Sequence, residues 1–199
     1  NLNKNNDPGL YNCWNNMIEI SDTELLCNIN PDDILHNDFL SLLNFFHDNI
    51  DLICCPLKII NKYNKKISIW HKYKYIIQND KINKIKTNYF NIIDMFKLVD
   101  IKKINSKESY KPLNLPGCSP IWRKKLFLKY GGFNQKDFKE KADFELWCKY
   151  LHHNSVMFCY DQELVSFRYS KKSLSNRNNN LDIFYKIWML YHPENNKNK

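Results

Sequence analysis

Two places in this chain group acidic side chains where they could do chemistry. The first is Asn30-Pro31-Asp32-Asp33, a polar turn that closes the short apolar run at residues 24–29. Adjacent carboxylates repel one another unless a cation or water stands between them, so the turn is a candidate Mg2+ or Mn2+ site, above all beside a diphosphate. The same residues also suit a solvated turn that caps the following helix. The second place is KADFELWCK, with Asp143 and Glu145 at the start of a predicted helix. Two residues apart on a helix they cannot share a face, so only one can enter a given cleft. Asp143, near the helix N-terminus, is held ionised by the helix dipole and could take a proton from a hydroxyl. The plainer role is a charge complement to that N-terminus, with Lys149 as a routine surface partner.

Those acids need elements to hold them. Leu10, Trp14, Met17 and Ile18 fall at helical spacing behind Asp7 and Pro8, which predicts a short helix over 9–20. Residues 24–29 are too short an apolar run for a helix and read as a buried strand whose end delivers the carboxylates to a cleft. Helical period returns over 37–47 through Phe39, Leu42, Leu43 and Phe46. Two β-rich runs, DLICCPLKII and ISIWHKYKYII, then flank a polar turn and read as a hairpin or adjacent strands, with Pro56 pointing to an edge or a bulge in the first. Residues 79–112 read as a mobile, lysine-rich surface connection with a helix at 89–98. Beyond them come a short helix over 123–130 stopped by Gly131 and Gly132, a stronger one over 141–152, strands in SVMFCY and ELVSFRY, and a last helix over 181–191. Strands alternating with helices predict an α/β layer structure, and no internal repeat suggests a solenoid.

With 199 residues, 43% hydrophobic and 15% aromatic, the chain is expected to fold as one domain over 7–192 with one core, leaving 1–6 and 193–199 as flexible ends. It opens on Asn1 rather than Met, and its amphipathic pattern begins almost at once, so it reads as cut from something longer. The net charge of +9 is spread along the chain with no dense basic block, so nucleic acid is not expected as a partner. Seven cysteines without a CxxC pair, several inside apolar runs, suit a reducing compartment and give no zinc spacing. No run approaches the roughly 18 apolar residues of a membrane span. The expected location is cytoplasmic, with peripheral attachment to a membrane left open.

Two runs carry a resemblance. GLYNCWNNMIEISDTELLCNINPDDIL is similar to the middle of family 2 glycosyltransferases, whose pattern there is G-I-Y-D-A-x-N-x-G-I followed by G-E-Y-I and L-N-A-D-D; Gly9, Tyr11, Asn15, Glu24, Asn30, Asp32 and Asp33 fall in place. The segment from Cys118 to Ser175 resembles the acceptor-side part of that family, with a substrate-loop arginine, a G-G-F-[DN] turn, A-D-[YF]-[DE]-L-W and a closing [FY]-R-x-x-x-x-S. Together the runs cover about two fifths of the chain, in the family's order.

The resemblance implies a GT-A type fold, partial, without the first βα units of its Rossmann-like half. It implies transfer of a sugar, with inversion, from a nucleotide-diphosphate sugar to a glycan or lipid-linked acceptor, as in polysaccharide biosynthesis. Carried over, Asp32 would hold Mn2+ or Mg2+. Asn15, Asn30 and Asp33 would join it around the nucleotide sugar, and Asp143 would be the catalytic base. Trp122, Arg123, Glu145, Trp147 and Arg168 would face the substrates, though the tryptophans equally suit the core and the arginines equally suit a structural role. The sequence departs from the family at Asn30, where the commoner pattern has a first acid, at Met17 in place of Gly, at Lys149 in place of Arg, and over residues 169–172, which lack a usual histidine. It also lacks the family's opening strand and the acid that holds the nucleoside. A catalytically incomplete module of the same fold, acting in binding or scaffolding, is the alternative.

Overall fold

A computed structural model describes residues 7–47, 49–70, 75–78, 81–84, 89–90, 92, 116–170 and 181–196. In chain order these form α1 (Leu10–Ile20), β1 (Leu25–Cys27), β2 (Ile34–Leu35), a 3-10 helix (Asn37–Phe45), β3 (Leu52–Cys54), β4 (Leu57–Ile60), β5 (Lys66–Trp70), β6 (Tyr75–Gln78), β7 (Lys81–Lys84) and β8 (Tyr89–Phe90). The second half adds β9 (Ile121–Arg123), α2 (Lys124–Tyr130), α3 (Gln135–Phe138), a 3-10 turn (Lys139–Lys141), α4 (Ala142–His152), β10 (Met157–Cys159), β11 (Val165–Arg168), α5 (Leu181–Tyr191) and a 3-10 turn at Pro193–Asn196.

Pro56 sets the architecture. A proline has no N–H for a ladder, and the apolar run DLICCPLKII breaks there into β3 and β4, which enter different sheets. The first sheet runs β1-β9-β3-β10-β8 and the second β2-β11-β4-β5, with β6 and β7 as a separate pair. Pro56 therefore lies at neither an edge nor a bulge; it is the joint where the chain changes sheets. A register shift does occur later in the same run, between Ile59 and Ile60. The segment 157–168 makes the same change alongside: β10 pairs β3 in parallel and β11 pairs β4 in parallel. Between those ladders Cys55 and Pro56 span on one chain what residues 160–164 span on the other, so the second segment carries a loop just beneath the sheet change.

Period-2 alternation divides the core. Leu52 and Cys54 join Trp122, Met157 and Cys159 in one apolar cluster, covered by residues of α1, α2, α4 and α5. Ile53 and Cys55 join Ile121, Leu57 and Val165 in a second, closed by Phe39, Leu42 and Ile50. The single expected core is thus two clusters on opposite faces of β3.

Helix α4 is apolar nearly all round, which is the pattern of a buried helix; Phe144, Leu146, Trp147, Cys148 and Tyr150 are each at most 1% exposed. It closes the end of α2 as well. Gly131, at φ 80°, ends α2 with its N–H on the Phe127 carbonyl at 2.8 Å, and the Gly131 and Gly132 carbonyls accept from Tyr150 Oη and Lys149 Nζ at 3.0 Å each.

Three further expectations meet the structure. Residues 37–45 are a 3-10 helix rather than an α-helix. Tyr89–Phe90 form a strand antiparallel to β10 and Ile92 is helical, where a helix over 89–98 was expected; residues 91 and 93–98 lie outside the described residues. Pro193–Asn196 form a 3-10 turn after α5, and the rest of the expected flexible ends, residues 1–6 and 197–199, lie outside the described residues. Among the described residues no helix is long and apolar enough to cross a membrane.

Candidate functional site

The N-terminus of α1 is capped from the far half of the chain. Gly9, at φ 82°, offers no side chain; Gln135 Oε1 instead accepts from the backbone N–H groups of Tyr11 at 2.9 Å and Asn12 at 3.4 Å, the positions an N-cap oxygen normally serves. A Cβ at Gly9 would run into the Gln135 side chain. One turn on, Asn15 Nδ2 donates to the Phe133 carbonyl at 2.8 Å and Asn15 Oδ1 accepts from the Phe133 N–H at 2.9 Å. A Cβ at Gly132 would strike that same amide and the Phe127 ring. The two motif runs are therefore bolted together, and both ends of the Asn15 amide face backbone rather than a nucleotide.

The turn after β1 is held from β11. Asp33 N–H bonds the Asn30 carbonyl at 3.1 Å, Asn30 Nδ2 donates to Asp33 Oδ2 at 3.1 Å, and the Arg168 N–H donates to Asp33 Oδ1 at 3.1 Å. The Arg168 guanidinium closes the other side, donating to the Asp32 carbonyl at 3.0 Å and the Asn61 carbonyl at 2.9 Å. Asp33 is 9% exposed, and burial raises its carboxyl above the usual range despite the stabilising bonds from Arg168 and Asn30. Asp32, by contrast, is exposed, and its carboxylate takes no hydrogen bond among the described residues.

Between the two acid-bearing elements runs Pro116-Gly117-Cys118-Ser119-Pro120. Gly117 at φ 57° and Ser119 at φ 59° put left-handed backbone on both sides of Cys118, a conformation that costs a non-glycine residue about 1–2 kcal/mol. Burial pushes the Cys118 thiol well up, and the charges of Asp33, Asp143 and Asp32 push it further, as does its hydrogen bond to Asp33. The charges of acids from both runs are therefore felt at one thiol.

Asp143 lies in the first turn of α4, half-buried, with Oδ1 accepting from the Phe144 N–H at 2.8 Å. The hydroxyl of Tyr11 donates to the Glu140 carbonyl at 3.3 Å, near enough to Asp143 to feel its charge. Burial and the nearby Asp143 charge push the Tyr11 phenol up.

The other expected substrate contacts lie elsewhere. Trp122 is fully enclosed, its Nε1 bonded to Asn28 Oδ1 at 3.1 Å, and meets Trp147 edge-on at 5.8 Å. Trp147 is 1% exposed, so neither ring has a face open to a sugar. Glu145 is 2% exposed, bonded to Tyr191 and 3.7 Å from Lys149; burial raises its carboxyl although both partners oppose the rise. Arg123 donates to the Ile50 carbonyl at 2.8 Å and the His47 carbonyl at 2.9 Å, tying β9 to the chain before β3. Sequence reasoning gave no role to Tyr11, Cys118 or Gln135. Tyr11 stood inside the first motif run and Cys118 opened the second, but nothing local in either pattern tells that they meet acids from the other run.

Among the described residues no three or more His, Cys, Asp or Glu side chains are grouped to hold a metal. The donor set around Asp32 is one outward carboxylate. That meets the demand of a small divalent ion which keeps several waters and takes one or two protein carboxylates together with substrate phosphates, and it falls short of an all-protein cage.

No family model matches this chain, and no curated protein matches it. Among solved structures it is similar to residues 1–349 of S. aureus TarS, a glycosyltransferase, with a TM-score of 0.52 and 13% identity over 94% of this chain and 44% of that one. The likeness shows the fold: mixed α/β with two mixed sheets, glycosyltransferase-like. The chain spans under half of the TarS structure.

Proposed function

We propose that the chain is the metal-binding and acceptor-side part of an inverting sugar transferase that uses a nucleotide-diphosphate sugar donor and a glycan or lipid-linked acceptor. The observation that carries this reading is that Asp32 and Asp33 from one element and Asp143 from another are all near enough to Cys118 for their charges to act on its thiol. The likeness to a glycosyltransferase fold agrees with it.

In this reading the Asp143 carboxylate takes the proton of an acceptor hydroxyl as its oxygen bonds the anomeric carbon from the side opposite the diphosphate. The bond from that carbon to the diphosphate oxygen breaks, its electron pair leaves with the diphosphate, and one displacement inverts the centre. Asp32 would hold Mg2+ or Mn2+, which when bound supplies charge neutralisation for the leaving diphosphate. Arg168 works through backbone: by fixing the Asp32 and Asn61 carbonyls it keeps the turn in place and leaves the Asp32 carboxylate outward. Asn30 and Asp33 shape that turn from within.

The test is a mass-spectrometric screen of uridine and guanosine sugars with Mn2+, Mg2+ or chelator. Turnover should require the cation and fall about 100-fold or more in Asp143→Asn, the scale of a lost general base. Asp32→Asn should lower turnover and raise the cation concentration needed to reach it. Turnover that ignores both substitutions sinks the assignment. The binding-module reading is favoured by one observation, the single outward carboxylate, and it predicts donor binding by calorimetry without turnover under any cation.

A further inference from the structure

The hairpin of β4 and β5 ends in a tip, Asn61-Lys62-Tyr63-Asn64-Lys65, whose backbone is fixed from within. Asn61 Oδ1 accepts from the Tyr63 N–H at 2.9 Å and the Lys65 N–H at 3.1 Å. The Asn61 N–H donates to the Lys65 carbonyl at 3.0 Å and the Asn64 N–H to the Asn61 carbonyl at 3.1 Å, with Asn64 left-handed at φ 62°. The asparagine side chain is spent inward, and the cations point out. Lys62 and Lys65 are exposed and neither is ion-paired among the described residues, whereas the next lysine, Lys66, lies 3.5 Å from Glu163. Lys62 Nζ stands 4.7 Å from the centre of the Tyr63 ring, which keeps it at the tip.

One side chain ties this tip to the Asp32 turn. The Arg168 guanidinium donates to the Asp32 carbonyl at 3.0 Å and to the Asn61 carbonyl at 2.9 Å, so the turn with the outward carboxylate and the tip with the unpaired lysines are neighbours across one planar group. We propose that the tip is a diphosphate-binding surface, Lys62 and Lys65 contacting the phosphate oxygens of a diphosphate ester whose other side faces the Asp32 turn. The inference rests on the proposed role of Asp32 for its location, and it adds cationic partners supplied by the chain itself. Asp32 alone would repel such a group, while Arg168 stands between turn and tip with its charge fixed, and the two lysines leave that side of the turn net positive. An ammonium on a flexible stem meets phosphate as a point charge and needs no fork geometry, and a backbone already ordered lowers the cost of binding. A diphosphate is carried by a nucleotide-sugar donor and equally by a lipid carrier joined through one.

The experiment is a 15N NMR titration of the chain with inorganic pyrophosphate at low salt, in chelator and again with Mg2+. The amide signals of residues 62–65 should move. Lys62→Gln and Lys65→Gln should each raise the dissociation constant about threefold, and together about tenfold, at an unchanged melting temperature because both are exposed. Lys129→Gln, an exposed lysine on α2, should leave binding unchanged; an equal loss there means attraction to net charge alone and overturns the inference. Uridine and guanosine diphosphates form one further arm and farnesyl diphosphate the other, and the arm whose binding depends on both lysines names the source. No lysine dependence in any arm overturns the inference. In the turnover assay the double variant should raise KM for that substrate with kcat held within about twofold, the pattern of lost binding. Turnover that needs Asp32 and Asp143 but ignores both lysines overturns the inference and leaves the transferase reading standing. Lysine-dependent diphosphate binding without turnover on any nucleotide sugar supports the tip and overturns the transferase reading instead.

Discussion

Replacing Asn15 by alanine separates a clamp from a ligand. Its one amide satisfies both backbone groups of Phe133, at 2.8 and 2.9 Å, and Phe133 is only 3% exposed. Removing the amide breaks two hydrogen bonds and strands a buried N–H and C=O, each at about 1–3 kcal/mol. Alanine's better helix propensity returns about 0.5 kcal/mol. The net loss is about 1.5–5.5 kcal/mol, a large share of the roughly 5–15 kcal/mol that holds a typical domain together. For a chain of this size that lowers the melting temperature by roughly 3–22 °C. Urea denaturation should show an earlier midpoint at unchanged slope, because the surface exposed on unfolding stays the same. A variant that melts within about 0.5 kcal/mol of the parent but no longer binds a nucleotide sugar would refute the clamp and return Asn15 to the role its motif implies.

Other substitutions test neighbouring claims. Gly9→Ala places a Cβ against Gln135 at a φ of 82°, so it should destabilise by about 1–2 kcal/mol, read in the same urea titration, and Gln135→Ala should relieve part of that loss. Trp147→Ala removes a fully packed ring and should cost about 3–5 kcal/mol; a stable Trp147→Ala that has lost only acceptor binding would show the ring to be a sugar platform after all. Because burial raises the Glu145 carboxyl above 4.5, the folded state keeps that proton longer than the unfolded chain does. Its contribution is therefore complete below about pH 4.5 and is lost as pH rises through the folded value. Glu145→Gln should flatten the corresponding fall in melting temperature, while the raised Asp33, of the same sign, continues to act in both proteins.

Local pattern was enough to read the helices at Leu10–Ile20, Ala142–His152 and Leu181–Tyr191, and the strands at Met157–Cys159 and Val165–Arg168, because each is an apolar period bounded by turn chemistry. The same pattern could not show that one apolar run serves two sheets: Pro56 marks a break, but whether the next strand stays or crosses depends on partners a hundred residues away. Tyr89 and Phe90 read as helical and pair with β10 instead, a case of ladder bonding overriding local preference. In the site, residue type identified the acids, and motif order carried the expectation that they share a cleft. Spacing along the chain could not distinguish an outward Asp32 from an inward Asp33, since only Arg168 and Asn30 decide between them. Nor could it tell that Asn15, Arg123 and Glu145 would be committed to backbone and side-chain partners within the fold.

The cap on α1 also constrains when that helix can exist. Eleven residues are too few to stay helical alone in water, and the oxygen that completes the first turn sits on Gln135, 124 positions downstream of Tyr11. During synthesis from the N-terminus the segment must therefore wait, unsettled, until the chain has emerged from the ribosome at least as far as Gln135. Whatever order the sheets take, α1 docks late, and the arrival of Gln135 and Phe133 is what turns the opening residues into a helix.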